Sequence, residues 1–201
     1  IYNHKELRKL FFNNQNFNST GDTETLLRMI EKIGIDKTLQ KINGMFAFCF
    51  YDSENNLLYM ARDCFGEKPL YYGFQNNSFV FSSDLAAIKK YSLFENKINN
   101  ESISLYLKYG NIPYPYSIYK NIFKLEPGKY IIFNLKNKTL QKKTFWNSVK
   151  QAELNFKKNQ NINFQNSSQI LRKKLTESIK SQLVSDVPIG AFLSSGIDSS
   201  L

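Results

Sequence analysis

Apolar positions along the chain change their spacing several times, and each change marks an element. Leu26, Leu27, Met29, Ile30 and Ile33 share one face of a helix over about 23–33, with Asp22 or Thr23 as the expected N-cap and Gly34 as the stop. A second helical turn over 36–41 leads through Asn43 and Gly44 into Met45-Phe46-Ala47-Phe48-Cys49-Phe50-Tyr51. This nearly unbroken apolar run reads as a buried strand, with Cys49 as a small core residue. A turn over 52–56 returns the chain into a hairpin partner over 57–62. A second strand pair, 70–74 and 78–82, follows across Gln75-Asn76-Asn77, and then a helix over 84–90. Such a succession of hairpins predicts an antiparallel sheet with helices attached.

The pattern then loosens. A short amphipathic helix is expected over 103–109, and Pro113 and Pro115 turn the chain into an extended connector whose aromatic residues between 106 and 123 are expected to pack on the core. Glu126-Pro127-Gly128 makes a tight turn before strands over 129–134 and 139–146. The following stretch is rich in Lys, Asn, Gln and Ser with few aliphatics, and it predicts a linker, set at 150–166. Beyond it, Ile170, Leu171, Leu175, Ile179 and Leu183 recur at helical spacing behind Ser167 or Ser168 as cap. The apolar stretch 187–193 predicts one more strand, running into Ser194-Ser195-Gly196-Ile197-Asp198-Ser199-Ser200.

Composition narrows the function classes. With 42% hydrophobic and 15% aromatic residues the chain is a core-forming one rather than a disordered one. No apolar run is long enough to span a bilayer, residues 1–10 are a polar mix unlike a signal sequence, and two cysteines make no disulfide framework. A cytoplasmic location is expected. Cys49 and Cys64 with the single histidine, His4, cannot complete a four-ligand zinc site, and His4 is expected to be structural at a helix start. The net charge of +10 raises nucleic acid as a partner, but the excess sits between 120 and 180, where fourteen basic residues face only Glu126, Glu153 and Glu177. Only four of the 27 basic residues are arginine, so the forks that clamp phosphates or read guanine are nearly absent. A solvated lysine-rich surface is expected, and a basic polyanion-binding domain without catalysis remains the competing class.

One segment carries chemistry by its layout. A strand entering a Ser- and Gly-rich turn at the start of a helix aims backbone N–H groups and the positive helix end at an anion. Gly196 allows close approach, and the hydroxyls of Ser194, Ser199 and Ser200 can donate to phosphate oxygens. No lysine follows the glycine, so this is not the GxxxxGK[ST] loop. The alternative is a serine-rich turn capping an ordinary helix.

At this point a resemblance becomes specific. Ser185-Asp186-Val187-Pro188-Ile189-Gly190-Ala191-Phe192-Leu193 and the loop after it resemble the ATP pyrophosphatase segment, usually written SGGxDSS, of the glutamine-hydrolysing asparagine synthetases; Ser195 stands where that motif has its first glycine. The resemblance implies ATP, with Mg2+, at Leu193, Ser194, Ser195, Gly196, Asp198, Ser199 and Ser200. Earlier segments follow in the same family's order: Ile1-Tyr2-Asn3-His4-Lys5-Glu6-Leu7-Arg8, Gly21-Asp22-Thr23-Glu24, Asn43-Gly44-Met45-Phe46-Ala47-Phe48, and Ala61 through Gly73 with Arg62, Asp63 and Lys68 expected to form a structural charge network. These are similar to the class II glutamine amidotransferases, which belong to the amino-terminal-nucleophile hydrolases.

The implied fold is α+β: an αββα glutaminase domain over 1–149, the linker over 150–166, and over 167–201 the start of an α/β ATP pyrophosphatase-type domain, akin to the adenine nucleotide α-hydrolases. The implied chemistry begins with an amino-terminal cysteine that attacks the glutamine amide. That residue is not in this sequence, so an internal fragment, catalytically silent by itself, is expected. Asp22 is the glutamine-binding residue implied here, pairing with the α-ammonium. No residue is assigned as catalytic or as a metal ligand. Implied partners are glutamine, ATP, aspartate or another carboxylate, and a second copy in a homodimer; neither nucleic acid nor membrane is expected. A related amidotransferase acting on another carboxylate is the alternative within this family.

Overall fold

A computed structural model describes residues 1–13, 15–160 and 162–200, which fall into two compact units dividing between Lys158 and Asn159. In the first unit, helices α1 (His4–Phe11) and α2 (Asp22–Lys41) precede strands β1 (Ala47–Asp52), β2 (Leu57–Arg62), β3 (Tyr71–Gln75) and β4 (Ser78–Ser82). Helices α3 (Leu85–Lys89) and α4 (Asn100–Tyr109) follow, then β5 (Ile122–Lys124), β6 (Lys129–Asn134), β7 (Leu140–Thr144) and helix α5 (Ser148–Lys158). The strands form two antiparallel sheets, β1-β2-β6-β7 and β4-β3-β5.

Strand alternation explains the layering. Ala61 pairs with Tyr130, and both bury on the face covered by Leu7, Met29, Ile30 and Leu39 of the first two helices. The next pair, Met60 with Ile131, faces the other way and buries with Leu70, Tyr72, Leu125 and Phe133, on the side of the second sheet. The four-stranded sheet is therefore apolar on both faces, which is why β1 and β2 read as continuous apolar runs.

Several expectations need correction. The N-cap of α2 is Gly21, one residue ahead of the expected Asp22 or Thr23. Gly34, in contrast, does stop the first helical segment as expected: at φ +79 and ψ 163 it is non-helical, and a second segment follows whose Ile35 and Leu39 bury on the same core. Cys49 is exposed: β1 is an edge strand, and the three-stranded sheet covers Met60 opposite Cys49 but not Cys49 itself. The aromatic residues of 106–123 divide: Tyr106 and Tyr109 on α4 and Tyr114 after it are each more than half exposed, whereas the Phe123 ring meets that of the buried Tyr72 at 6.0 Å. Arg62 and Asp63 grip backbone rather than forming a charge network. Arg62 donates to the carbonyls of Gly66, Lys68 and Leu125 at 2.6, 2.8 and 2.6 Å. The buried Asp63 carboxylate accepts from the amides of Phe46, Phe65, Glu67 and Lys68.

The second unit holds α6 (Phe164–Gln182) and α7 (Ile197–Ser200). The cap of α6 is Asn163, whose side chain accepts from the Asn166 amide at 2.9 Å, four to five residues ahead of the expected serines. No strand forms over 187–193, and Val187, Phe192 and Leu193 are exposed. A strand needs a neighbour to receive its hydrogen bonds, and the described residues of this unit hold no other strand. Among the described residues, no helix is long and apolar enough to cross a membrane.

Candidate functional site

Asp22 stands at the mouth of α2, where the first-turn amides lack partners and favour negative charge. Because Gly21 takes the cap position, the carboxylate is free to engage outward, and it accepts from the α-ammonium of Ile1. Partial burial raises the Asp22 pKa, but the hydrogen bond and charge of that ammonium outweigh it and hold the carboxyl below its ordinary value. A cavity of about 490 Å³ opens beside this contact, lined by Asp22, Leu26, Met45, Phe48, Lys68 and Ser83 among others. It offers an anionic end, an apolar floor and one lysine, the composition that suits a small amphipathic amino acid. Lys68, expected only in a structural charge network, and Ser83, which nothing in the sequence marks, are brought here by the turns after β2 and β4.

The loop over 193–200 collects its hydroxyls on themselves. Ser194 and Ser199 share a hydrogen bond at 2.7 Å, Ser199 Oγ also reaches the Ser194 and Gly196 carbonyls at 3.0 and 3.1 Å, and Ser200 Oγ donates to the Gly196 carbonyl at 2.8 Å. Ser194, Gly196, Ser199 and Ser200 are thus brought into one tight turn, with Leu193 largely exposed before it. Ser195 has no positive φ, so a side chain there carries no backbone strain where the resembling motif has glycine.

Neither cysteine is poised as a nucleophile. The packed sheet around its sulfur pushes the Cys49 thiol up to about 11 despite the exposed side chain, and burial with the neighbouring Asp63 carboxylate raises Cys64. His4 is buried at the start of α1, with Nδ1 2.8 Å from the Ile1 carbonyl oxygen. Among the described residues no group of three or more His, Cys, Asp or Glu could hold a metal ion.

Comparison with known proteins places both segments. Residues 1–146 match the family described as Glutamine amidotransferase domain, and residues 170–201 match Asparagine synthase. A Methanocaldococcus jannaschii protein provisionally named glutamine-hydrolyzing asparagine synthetase 2 is 39% identical over the whole chain, which covers 37% of its length. A Bacillus subtilis protein, glutamine-hydrolyzing asparagine synthetase 1, is 33% identical, again over the whole chain and 30% of its own length. The chain thus spans about a third of the relatives it matches. Among solved structures, glutamine phosphoribosylpyrophosphate amidotransferase from B. subtilis, complexed with ADP and GMP, aligns with 72% of this chain and 27% of its own, with a TM-score of 0.51 at 19% identity. That likeness concerns the fold, and it agrees with two antiparallel sheets flanked by helices.

Proposed function

Because the chain belongs to the glutamine amidotransferase domain family, we propose that it forms the glutaminase part, and the beginning of the ATP-dependent part, of a glutamine-hydrolysing asparagine synthetase. The carrying observation is that the two family matches occur in order on one chain, over 1–146 and 170–201. In the proposed reaction, water and glutamine give glutamate and ammonia, ATP and aspartate give aspartyl adenylate and pyrophosphate, and ammonia displaces AMP to give asparagine.

Asp22, at the anionic end of the cavity, holds the α-ammonium of glutamine. Leu193 lies against the adenosine, while Ser194, Ser195, Gly196, Ser199 and Ser200 supply amides and hydroxyls to the phosphates. Their hydroxyls must exchange internal hydrogen bonds for phosphate oxygens on binding. A Mg2+ ion that travels with ATP needs only one or two carboxylates besides the phosphates, and Asp198 is the carboxylate in this loop that fits the need. Bound Mg2+ would neutralise phosphate charge. Free Cys49 and Cys64 favour a reducing cytoplasm as the place of reaction.

Incubation of the full-length polypeptide with ATP, aspartate and glutamine labelled with 15N in its amide tests this reading. Labelled asparagine with AMP and pyrophosphate is the expected result. Release of ADP and phosphate, or transfer of the label to a carboxylate other than aspartate, overturns the asparagine assignment.

A further inference from the structure

The corner that carries Asp22 is held by one side chain from another element. Arg8, on α1, donates from Nε to Thr25 Oγ1 at 2.6 Å, from one terminal nitrogen to the Ser19 carbonyl at 2.7 Å, and from the other to the Gly21 carbonyl. Its three acceptors lie on both sides of Asp22 in the sequence: two in the incoming loop and one in the first turn of α2. The incoming loop is fixed from its other side as well. Phe17 lies 4.0 Å from the Arg8 guanidinium and 4.3 Å from that of Arg28. Glu24 accepts from the Asn18 and Ser19 amides at 3.1 and 2.8 Å and pairs with Arg28 at 2.7 Å. Of the two acidic residues in this corner, Glu24 is tied to the loop and to Arg28, and Asp22 is the one that lines the cavity.

We propose that Arg8 is the positioning residue of Asp22: its three-armed grip fixes the 19–25 corner so that the carboxylate meets the α-ammonium of the amide donor, and it thereby sets selectivity for amino acids over amides lacking that ammonium. The proposal rests on the reading of Asp22 given above. A planar guanidinium can satisfy three diverging acceptors at once, whereas a lysine ammonium in its place reaches only part of the set and leaves the Gly21 carbonyl free to move. A charge-assisted contact depends steeply on placement, and a displacement of about 1 Å in a group that orients substrate can cost ~100-fold in rate.

The test compares hydrolysis of L-glutamine with that of 4-carbamoylbutanoate, which has the same amide and carboxylate but no ammonium, in the full-length polypeptide. Asp22→Asn is expected to lower the ratio of the two kcat/KM values by about tenfold or more, and Arg8→Lys to lower it by a similar factor through the KM for glutamine. Combining the two substitutions should lower the ratio no further than Asp22→Asn does, because Arg8 acts through Asp22. Thr25→Val, which removes only the Nε arm, should reproduce the selective loss to a smaller extent and serves if Arg8→Lys fails to fold. Equal losses on both amides in the Arg8 and Thr25 variants, with Asp22→Asn still selective, overturn the role of Arg8 alone. An Asp22→Asn enzyme with an unchanged ratio overturns the reading of Asp22 and the proposal with it.

Discussion

Glu126 sits in the turn before β6 with a lysine on each side, Lys129 Nζ at 3.1 Å from one carboxylate oxygen and Lys142 Nζ, from β7, at 2.8 Å from the other. Partial burial raises its pKa, but the hydrogen bonds and charge of the two lysines prevail and hold it below the ordinary 4.5. Its contribution to stability is therefore complete above 4.5 and is lost as pH falls through the lower value kept in the fold. Lys142 is the mirror image: burial lowers it, but Glu126 and Tyr72 hold it above 10.5, so its share is lost only as pH rises through that raised value. Glu126→Gln should cost about 1 kcal/mol at neutral pH for this partly exposed trio. Denaturant unfolding should show the gap to the parent protein closing as pH falls below the ordinary 4.5 of the carboxyl and narrowing as it rises above the ordinary 10.5 of the lysine. In the sequence Glu126 shows as part of the turn before β6 and as one of three acids in a lysine-rich stretch; Lys129 is close in sequence, but only the pairing of β6 with β7 brings Lys142. Asp22 was expected either to cap α2 or to bind glutamine; Gly21 takes the cap position, and Asp22 lines the cavity beside it.

Two glycines separate what an element shows in sequence from what only its neighbours impose. Gly34 was legible as a break in helical periodicity, and it does adopt φ +79, yet a Cβ built there meets open space. Gly73 looked like any residue of a strand, but it pairs with Ile122 of β5, and a Cβ on it would lie 1.8 Å from the Asn121 carbonyl oxygen. That oxygen already accepts from the Phe74 amide at 3.2 Å, so the obstacle is backbone in a hydrogen-bonded turn and not a side chain that can swing away. Gly34→Ala should cost about 1–2 kcal/mol, the left-handed penalty for a residue with a Cβ. Gly73→Ala should cost roughly 3 kcal/mol or more and free β5 from β3. Hydrogen exchange checks the difference: amides of β5 and of Phe74 should lose protection in Gly73→Ala and keep it in Gly34→Ala. The same distinction explains the absent strand over 187–193. Its apolar pattern was read correctly as pattern, but a strand is a property of a pair, and the described residues of its unit provide no second member.

Across the whole molecule, burial divides unequally between the two units. Residues 1–158 hold both apolar clusters, including Met29, Met60, Leu125, Tyr130 and Ile131 at 0% exposure, whereas the described residues from 163 onward include none that is buried. The helix α6 keeps Ile170, Leu171, Leu175 and Ile179 on its surface, an apolar stripe whose 3.6-residue period announced a helix without announcing what it packs on. Most folding free energy must then come from the first unit, since apolar burial is the main favourable contribution. Removing residues 159–201 should leave the thermal midpoint of the remainder within about 3 °C of the parent chain, about the shift expected from a loss of about 1 kcal/mol in a domain of this size. Limited proteolysis of the parent chain should cut first between 183 and 196, where no helix or strand protects the backbone, and stop at a resistant product containing residues 1–158. A midpoint falling by 10 °C or more on truncation, or protection of 183–196 equal to that of β2 and β6, would show that the second unit carries a share of stability its burial does not account for.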